Sequence, residues 1–247
     1  MSARVVVVAL ASDFGCQVQM TNMEDHLLDV LGTFELSYWQ LASSGHMPSE
    51  YDVAIVEGAV TTGDHVALLE RVRATASTLI AIGSCAVSGG IPGLAARGDL
   101  TERTRSVYGD TLPAVTHTRA APAPVSAVVE VDYHVPGCPI EPAEFLAVLR
   151  RAFMGLANRP PREPLCAACK IAENACFYED GLLCLGLVTR TGCEARCVSL
   201  GRPCAGCRGI AEDANLPAAR EVLVRHGLEP SALDVALDLF NSTSGVR

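Results

Sequence analysis

The chain has 247 residues, of which 49 % are apolar and 19 % charged, and its formal net charge is −9. This composition excludes an intrinsically disordered chain, and the acidic balance argues against a general nucleic-acid-binding protein, because phosphate binding depends on clustered positive charge. The longest apolar runs, such as residues 5–11, are too short to span a bilayer. We therefore expect a globular protein with one large domain or two modest ones.

Short apolar runs alternate with amphipathic stretches through the first two thirds of the chain. The pattern predicts strands at 5–10, 34–38, 52–57, 78–82 and 128–135, and helices at 23–31, 64–76 and 142–156. Such alternation implies right-handed crossovers and a mostly parallel sheet. The runs DVAIVEG and TLIAIGS are apolar almost throughout, as expected for strands covered on both faces. Residues 1–157 are therefore predicted to form an α/β domain with a flavodoxin-like, doubly wound parallel sheet.

The rest of the chain, residues 158–247, predicts a second, cysteine-rich domain. It begins with a linker, NRPPREP at 158–164, and continues with a segment at 166–208 that has many Cys and Gly but no sustained periodicity. Such a segment would need metals to fold. Amphipathic stretches at 218–226 and 231–240 predict two helices that pack on the body of the protein or on a partner.

The first twelve residues, MSARVVVVALAS, carry one basic residue and a short, β-branched apolar run. This pattern favours a buried first strand over a secretory signal, and it lacks a twin-arginine leader. We expect a cytoplasmic protein, in which thiols stay reduced and clustered cysteines usually bind metal.

Three cysteines follow predicted strands of the sheet: Cys16 in the loop after the first, Cys85 after the fourth and Cys138 after the fifth. Ligands of open α/β sheets bind outside the carboxyl ends of the strands, so these thiolates suggest one metal site that lacks a fourth ligand. Asp13, three residues before Cys16, can supply it, since a carboxylate is an acceptable but harder ligand for iron. Two plainer interpretations remain: Asp13 caps the turn or the next helix, or the three cysteines are buried without metal.

Eight further cysteines crowd into one short segment: Cys166, Cys169, Cys176, Cys184, Cys193, Cys197, Cys204 and Cys207. Eight thiolates make two four-thiolate sites, and the four cysteines between the outer CxxC pairs favour two [4Fe–4S] clusters over a zinc ribbon. The spacing is compatible with more than one grouping into fours. Arg190, Arg196, Arg202 and Arg208 punctuate the segment; beside clusters they would raise the reduction potential, and otherwise they form a solvated basic face.

Several motifs occur in order along the chain: SDFGCQVQ, VEGAV, GSCAVSGG, PGCP, CAAC, CLG, TRTGCEARC and CAGCRG. With these motifs the chain resembles the small subunit of cytosolic [NiFe] hydrogenases, above all the bidirectional, pyridine-nucleotide-linked type, also called the sulfhydrogenase delta subunit. Coenzyme-F420- and viologen-linked archaeal hydrogenases have similar small subunits. The resemblance extends to about Gly209, whereas the complex I cluster-bearing subunit is similar to the N-terminal part only.

The resemblance implies a role for each candidate residue. Asp13, Cys16, Cys85 and Cys138 match the ligands of the proximal cluster, which faces the Ni–Fe centre of a separate large subunit, and the eight later cysteines match the medial and distal clusters. Most relatives have Cys where Asp13 stands, so we expect a proximal cluster with an Asp ligand and a shifted reduction potential. Glu57 matches an acidic residue near the subunit interface and on a candidate proton route; alternatively, it is a strand-end carboxylate bonded to local amides.

The function implied is an electron relay. The large subunit would split H₂, and electrons would pass through three clusters to a flavin-bearing subunit that reduces NAD or NADP. Because no GxGxxG follows the first strand, FAD and NAD(P) are expected on partner subunits, among them a ferredoxin-like diaphorase subunit. Three four-ligand clusters need twelve ligands, which eleven cysteines and Asp13 supply.

Three other interpretations are weighed against this one. A complex I-like or formate-linked electron-transfer subunit would not explain the eight-cysteine block. A zinc-binding scaffold on an α/β domain would be colourless and free of labile sulfide. A hydrogenase relative without clusters would have little reason to keep so many ligand positions filled.

Overall fold

Apolar strands form a parallel central sheet in the computed structural model, which describes residues 3–23, 32, 34–109 and 118–243, without the side chains of 118–120. The sheet order is β2-β1-β3-β5-β7, and all neighbouring pairs are parallel. This order is that of a flavodoxin-like doubly wound sheet and confirms the predicted fold class. The strands are β1 (Arg4–Ala9), β2 (Glu35–Trp39), β3 (Val53–Glu57), β4 (Val60–Thr62), β5 (Thr78–Ile82), β6 (Thr118–Ala123) and β7 (Tyr133–Val135).

Helices cover the sheet and build the C-terminal part of the chain. Their bounds are α1 (Gly15–Thr21), α2 (Gly63–Thr75), α3 (Gly83–Ser88), α4 (Leu100–Tyr108), α5 (Pro142–Phe153), α6 (Cys166–Ile171), α7 (Arg196–Ser199), α8 (Leu216–Arg225) and α9 (Ala232–Asn241). Short 3₁₀ turns occur at Ile91–Ala96, Val125–Ala127 and Leu185–Leu187. The predicted helix at 23–31 falls, beyond its first residue, outside the described residues. Within those residues no helix is both long and apolar enough to cross a membrane.

Alternation along each strand sends side chains into two separate cores. In β1, Val5 and Val7 join the core on one face, whereas Val6 and Val8 join the core on the other. Because both faces are covered, the strand is apolar at every position, which is why its sequence shows no polar alternation. Each fully buried valine contributes about 1.5–3 kcal/mol to the hydrophobic stabilisation of the sheet.

The last sheet strand is shorter than the sequence predicts. The expected strand at 128–135 is reduced to β7 at Tyr133–Val135, and residues Val125–Ala127 form a 3₁₀ turn. The Asp132 carboxylate explains the late start, because its Oδ2 accepts the Leu79 N–H at 2.7 Å and an Arg73 guanidinium N–H at 2.6 Å. The Leu79 N–H is therefore bound by a side-chain oxygen and not by a backbone carbonyl of the neighbouring strand.

Another departure is a second, antiparallel sheet. Strands β4 and β6 pair there although neither was predicted. β4 has three residues, and the Thr-Arg-Ala-Ala-Pro-Ala run of β6 has little strand character in the sequence.

The C-terminal part has a hydrophobic core of its own, drawn from residues 165–237. The predicted helices at 218–226 and 231–240 are confirmed as α8 and α9, which supply Leu223 and Leu237 to this core. The end of α9 also fastens onto the body of the protein: the Ser88 hydroxyl donates to the Phe240 carbonyl at 2.8 Å, and the Thr243 hydroxyl donates to the Ser88 carbonyl at 2.6 Å.

Candidate metal centre

The loops after β1, β5 and β7 meet at the carboxyl edge of the sheet around a cavity of about 410 Å³, here called the first cavity. Asp13, Cys16, Cys85 and Cys138 all line it, together with Glu57 at the end of β3. These strands are neighbours in the order β1-β3-β5-β7, which is why residues distant in sequence meet here. The fold therefore brings together the four residues that the sequence assigns to one site.

Cys16 differs from expectation in its local structure. It lies in the first turn of α1, not in a loop, because Phe14 adopts a left-handed conformation (φ 62°) that starts the helix directly after the strand. The Cys16 N–H, one of the free donors of that first turn, donates to the Glu57 Oε1 at 3.0 Å. The helix start thus fixes the direction of the Cys16 thiol.

Two glycines let the backbone approach the thiols closely. A Cβ at Gly83 would lie 2.5 Å from the Cys16 Sγ, and a Cβ at Gly90 would lie 3.0 Å from the Cys85 Sγ. Both have positive φ, +82° and +49°, which glycine adopts at little cost. The sequence pointed to these positions only as a Gly-rich surrounding of Cys85, without saying which thiol each one faces.

Burial sets the protonation of the three thiols. It raises the pKa of Cys16 far above its usual range, and the Glu57 charge adds to the effect. Burial likewise raises the pKa of Cys85 to about 11, with the charges of Cys138 and Asp13 adding to it, and raises the pKa of Cys138. Three thiolates and two carboxylates at one cavity repel one another, so a bound cation is needed to hold the thiols ionised at neutral pH.

Asp13 lies on the first cavity and also takes part in the turn. Its Oδ1 accepts the Gly15 N–H at 2.9 Å, which is the turn-capping interaction considered above. One oxygen of the carboxylate is engaged in this way, and the ligand role stays a prediction.

Glu57 is 2 % exposed and points the two oxygens of its carboxylate to different surroundings. Oε1 binds the Cys16 amide, as the local-amide interpretation anticipates, whereas Oε2 is buried with no hydrogen-bond partner among the described residues. The proton-route role of Glu57 stays a prediction.

A second cavity, of about 310 Å³, adjoins the first. Cys193, Cys197 and Cys207 line it, and so do Cys138 and Arg208. Residues 137–139 line both cavities and therefore form the wall between them. Burial raises the pKa of Cys207 to about 11, and a backbone hydrogen bond from Cys138 opposes this increase, which shows how close the two cysteines are.

The remaining cysteines of the cysteine-rich segment lie near one another outside the lining of the second cavity. Burial raises the pKa of Cys166 to about 11, and the charges of Cys184, Cys169 and Cys176 raise it further. Cys204 lies between this group and the second cavity: its N–H donates to the Cys184 Sγ at 3.2 Å, and the charges of Cys184 and Cys207 both act on its thiol. Cys166, Cys169, Cys176 and Cys184 thus act on one another, and Cys204 stands between them and Cys207.

The residues fit iron–sulfur groups in two respects. Most of the donor thiols are buried or partly buried, and burial together with neighbouring charges raises the pKa of Cys16, Cys85 and Cys166, a penalty on ionisation that iron would remove. The backbone at Gly83 and Gly90 leaves a side-chain-free cradle beside them. In the part of the chain that the structure describes, no three His, Cys, Asp or Glu side chains approach closely enough to share one ion. In a cluster the cysteines bind different iron atoms, an arrangement that suits donors spread around a cavity.

Ser84 helps to hold the cysteine-bearing loops together, a role that the sequence does not predict. It is buried beside Cys85, its N–H donates to the Gly137 carbonyl at 2.8 Å, and its hydroxyl donates to the Cys207 carbonyl. Ser84 therefore connects three cysteine-bearing loops. A small polar residue before a candidate ligand is too common a signal for a sequence alone to reveal this.

The doubly wound sheet and its cysteine-lined cavities define an α/β protein with candidate metal sites at and beside the carboxyl edge of the sheet. Residues 14–152 match the family of the NADH ubiquinone oxidoreductase 20 kDa subunit. The chain is 36 % identical over 210 residues to the sulfhydrogenase 2 subunit delta of Pyrococcus furiosus, covering 85 % of this chain and 87 % of that one. It is 29 % identical over 241 residues to a subunit of the F420-non-reducing hydrogenase vhu of Methanococcus voltae, covering 85 % and 83 %.

Among solved structures, a chain of an NAD⁺-reducing [NiFe]-hydrogenase in the H₂-reduced state has the same fold. Its TM-score is 0.57 at 24 % identity, and the match covers 65 % of this chain and 96 % of that one. The chain belongs to the family of the NADH ubiquinone oxidoreductase 20 kDa subunit and, within it, with the small subunits of [NiFe] hydrogenases. The family match ends before the cysteine-rich segment, as expected from the resemblance of complex I to the N-terminal part only.

Proposed function

We propose that this chain is the electron-transfer subunit of a cytoplasmic, bidirectional [NiFe] hydrogenase and that H₂ is activated on a separate large subunit. The observation that carries the proposal is the series of cysteine-lined sites: the first cavity, the second cavity and the Cys166–Cys184 group follow one another. A relay needs redox groups at fixed, adjacent positions, and the wall at 137–139 separates the first two by only a few residues of backbone.

Three iron–sulfur groups, expected to be [4Fe–4S] clusters, are assigned to these sites. When bound, they supply reversible one-electron transfer. The proximal group would be held by Asp13, Cys16, Cys85 and Cys138, the second by Cys193, Cys197, Cys204 and Cys207, and the third by Cys166, Cys169, Cys176 and Cys184.

The chain's own contribution is binding, rigidity and exclusion of water. The first cavity's candidate ligands lie in the loops and helix starts that follow β1, β5 and β7, so the sheet anchors the backbone on which they stand. Ile91, Pro92 and Pro139 give the first cavity an apolar rim, and a subunit that covered this rim would lower the local dielectric. A low dielectric strengthens the influence of every nearby charge on the reduction potential.

Partners are inferred from the same assignment. The large subunit with its Ni–Fe centre would cover the first cavity, and a flavin/NAD(P)-binding subunit with a ferredoxin-like diaphorase subunit would accept electrons from the far end. A relative is named an NAD⁺-reducing [NiFe]-hydrogenase, which supports a pyridine-nucleotide acceptor.

We also propose that residues 1–157 and 158–247 act as two domains, supported by their separate hydrophobic cores.

The direct test is the iron and acid-labile sulfide content of the purified complex, corrected for metals on partner subunits, with EPR spectra under redox titration. Three four-iron clusters predict about 12 Fe and as many sulfides on this chain. If the complex held zinc and no iron on this chain, with no labile sulfide and no visible absorption, the relay would be refuted and a zinc-binding scaffold favoured.

Asp13 needs variants that separate its ligand role from its turn. Asp13→Asn keeps an oxygen that can accept the Gly15 N–H but removes the carboxylate charge, and Asp13→Cys supplies the thiolate that the resemblance predicts at this position. We expect Asp13→Asn and Asp13→Ala to alter the proximal EPR signal, and Asp13→Cys to keep its four irons at a changed midpoint potential. An unchanged signal and potential in all three variants would leave Asp13 as a turn residue only.

A further inference from the structure

Arg208 is a fully buried cation, its side chain being 1 % exposed. All three nitrogen groups of its guanidinium are used. Nε donates to the Thr191 carbonyl at 3.0 Å, Nη1 to the Pro136 carbonyl at 2.8 Å and Nη2 to the Glu144 Oε1 at 2.5 Å. The charge is therefore held in one orientation between the body of the protein and the cysteine-rich segment.

This guanidinium lies against the second cavity. Arg208 lines it with Cys193, Cys197 and Cys207, and it directly follows Cys207 in the chain. Its Nε donates to the carbonyl of Thr191, two residues before Cys193, so the guanidinium is held beside the chain segments that carry Cys193 and Cys207.

The other arginines that the sequence places in this segment differ from Arg208. Arg196 lines the same cavity, but its side chain is 60 % exposed and pairs with Glu141 at the surface. Arg202 is exposed, and Arg190 is half-buried. Solvent screens an exposed charge strongly and a buried one much less, so of the two arginines that line the cavity Arg208 is the one whose charge is screened less.

The fold makes room for this buried charge. Gly192 has a φ of +120°, and a Cβ there would lie 2.3 Å from the Arg208 Nη2 and 3.0 Å from the Glu144 Oε1. Burying an ion pair costs free energy that apolar residues of similar volume would not cost. Stability alone therefore does not account for this buried pair.

We infer that Arg208, held in place by Glu144, sets the reduction potential of the redox group bound by the cysteines of the second cavity. The inference rests on the proposed function. Reduction adds negative charge to that group, and a fixed cation in a low dielectric stabilises the reduced form, which raises the midpoint potential. Glu144 has the opposite charge and partly offsets this effect. Removing the Arg208 charge and removing the Glu144 charge must therefore shift the midpoint potential in opposite directions.

The test is an EPR redox titration of the purified complex at pH 8, with the signal of the second cavity identified as the one that Cys197→Ser alters. Arg208→Met should lower its midpoint potential, and Glu144→Gln should raise it. Arg208→Lys, which keeps the charge, should stay nearer to wild type than Arg208→Met does. Arg196→Met is the matched control, because it removes the same charge from the same cavity at an exposed position, and it should shift the potential least.

A role in geometry alone predicts a different outcome. If Arg208→Lys shifted the potential as much as Arg208→Met, or if Glu144→Gln shifted it in the same direction, the inference would be wrong. If the Arg208→Met complex does not assemble, the Glu144→Gln variant decides the matter: a raised midpoint potential supports the inference, and a lowered or unchanged one contradicts it. If wild-type complex showed no iron–sulfur signal from this chain, the proposed function itself would fail, which is a separate result.

Discussion

Alanine at position 83 would test how closely the backbone after β5 must approach the first cavity's thiols. Gly83 has a φ of +82°, and a Cβ there would lie 2.5 Å from the Cys16 Sγ. Van der Waals contact needs about 3.5–4.0 Å, so the sulfur or the start of α3 must move by about an ångström. We expect Gly83→Ala to weaken both the fold and metal binding.

The magnitude follows from two contributions. Alanine in a left-handed conformation costs about 1–2 kcal/mol. Overpacking of a buried site adds about 1–3 kcal/mol. Gly227→Ala isolates the first contribution, because Gly227 has a similar φ of +74° and open space where a Cβ would stand. Gly83→Ala should therefore lower the free energy of unfolding by about 2–5 kcal/mol, against about 1–2 kcal/mol for the control.

The assay compares Tm and iron content of the two variants in the purified complex. An extra 1–3 kcal/mol corresponds to a Tm about 2–12 °C lower than that of Gly227→Ala for a chain of this size. Iron should fall in Gly83→Ala and stay complete in Gly227→Ala, since only the former displaces the Cys16 sulfur. Equal Tm values and full iron in both variants would refute the close approach of Gly83 to Cys16.

Three further outcomes follow from named contacts. Ser84→Ala leaves the partly buried Cys207 carbonyl without this donor and should cost about 1–3 kcal/mol, seen as a lower Tm; an unchanged Tm would show that the contact does not stabilise the fold. Thr62→Ala removes the α2 cap that accepts the His65 N–H and should cost about 1 kcal/mol in urea unfolding, with iron content unaffected. In the iron-free chain, burial raises the pKa of Cys85 from 9.0 to about 11, so the folded thiol stays protonated to a higher pH than an exposed one. Its alkylation should then rise about tenfold per pH unit from pH 8 to 10, whereas the urea-unfolded control levels off near pH 9.

Sequence pattern alone located most of the sheet, because strands buried on both faces are apolar runs bounded by turn residues. The prediction matched β5 residue for residue and β3 to within one residue. It failed at β7, where the Asp132 side chain takes over a backbone contact, and at β4 and β6, whose pairing depends on tertiary context rather than composition.

The candidate site shows the same division. Spacing after strands identified Cys16, Cys85 and Cys138 as neighbours, because parallel strands end at one edge of the sheet. It could not show that Cys16 starts a helix, since that depends on the left-handed Phe14. Nor could it distinguish Arg208 from the other arginines of the segment, because burial of a charge is decided by what packs around it.

The loop after β7 explains why two of the cavities are neighbours. β7 is an edge strand of the sheet, so the loop that follows it can face the other sheet loops on one side and the C-terminal part on the other. Cys138 lines both cavities, its backbone bonds the Cys207 thiol, and Ser84 bonds the Cys207 carbonyl. A change in residues 137–139 must therefore disturb both sites together. A change at Arg208 acts on the second cavity first, because its charge lies on that side of the wall.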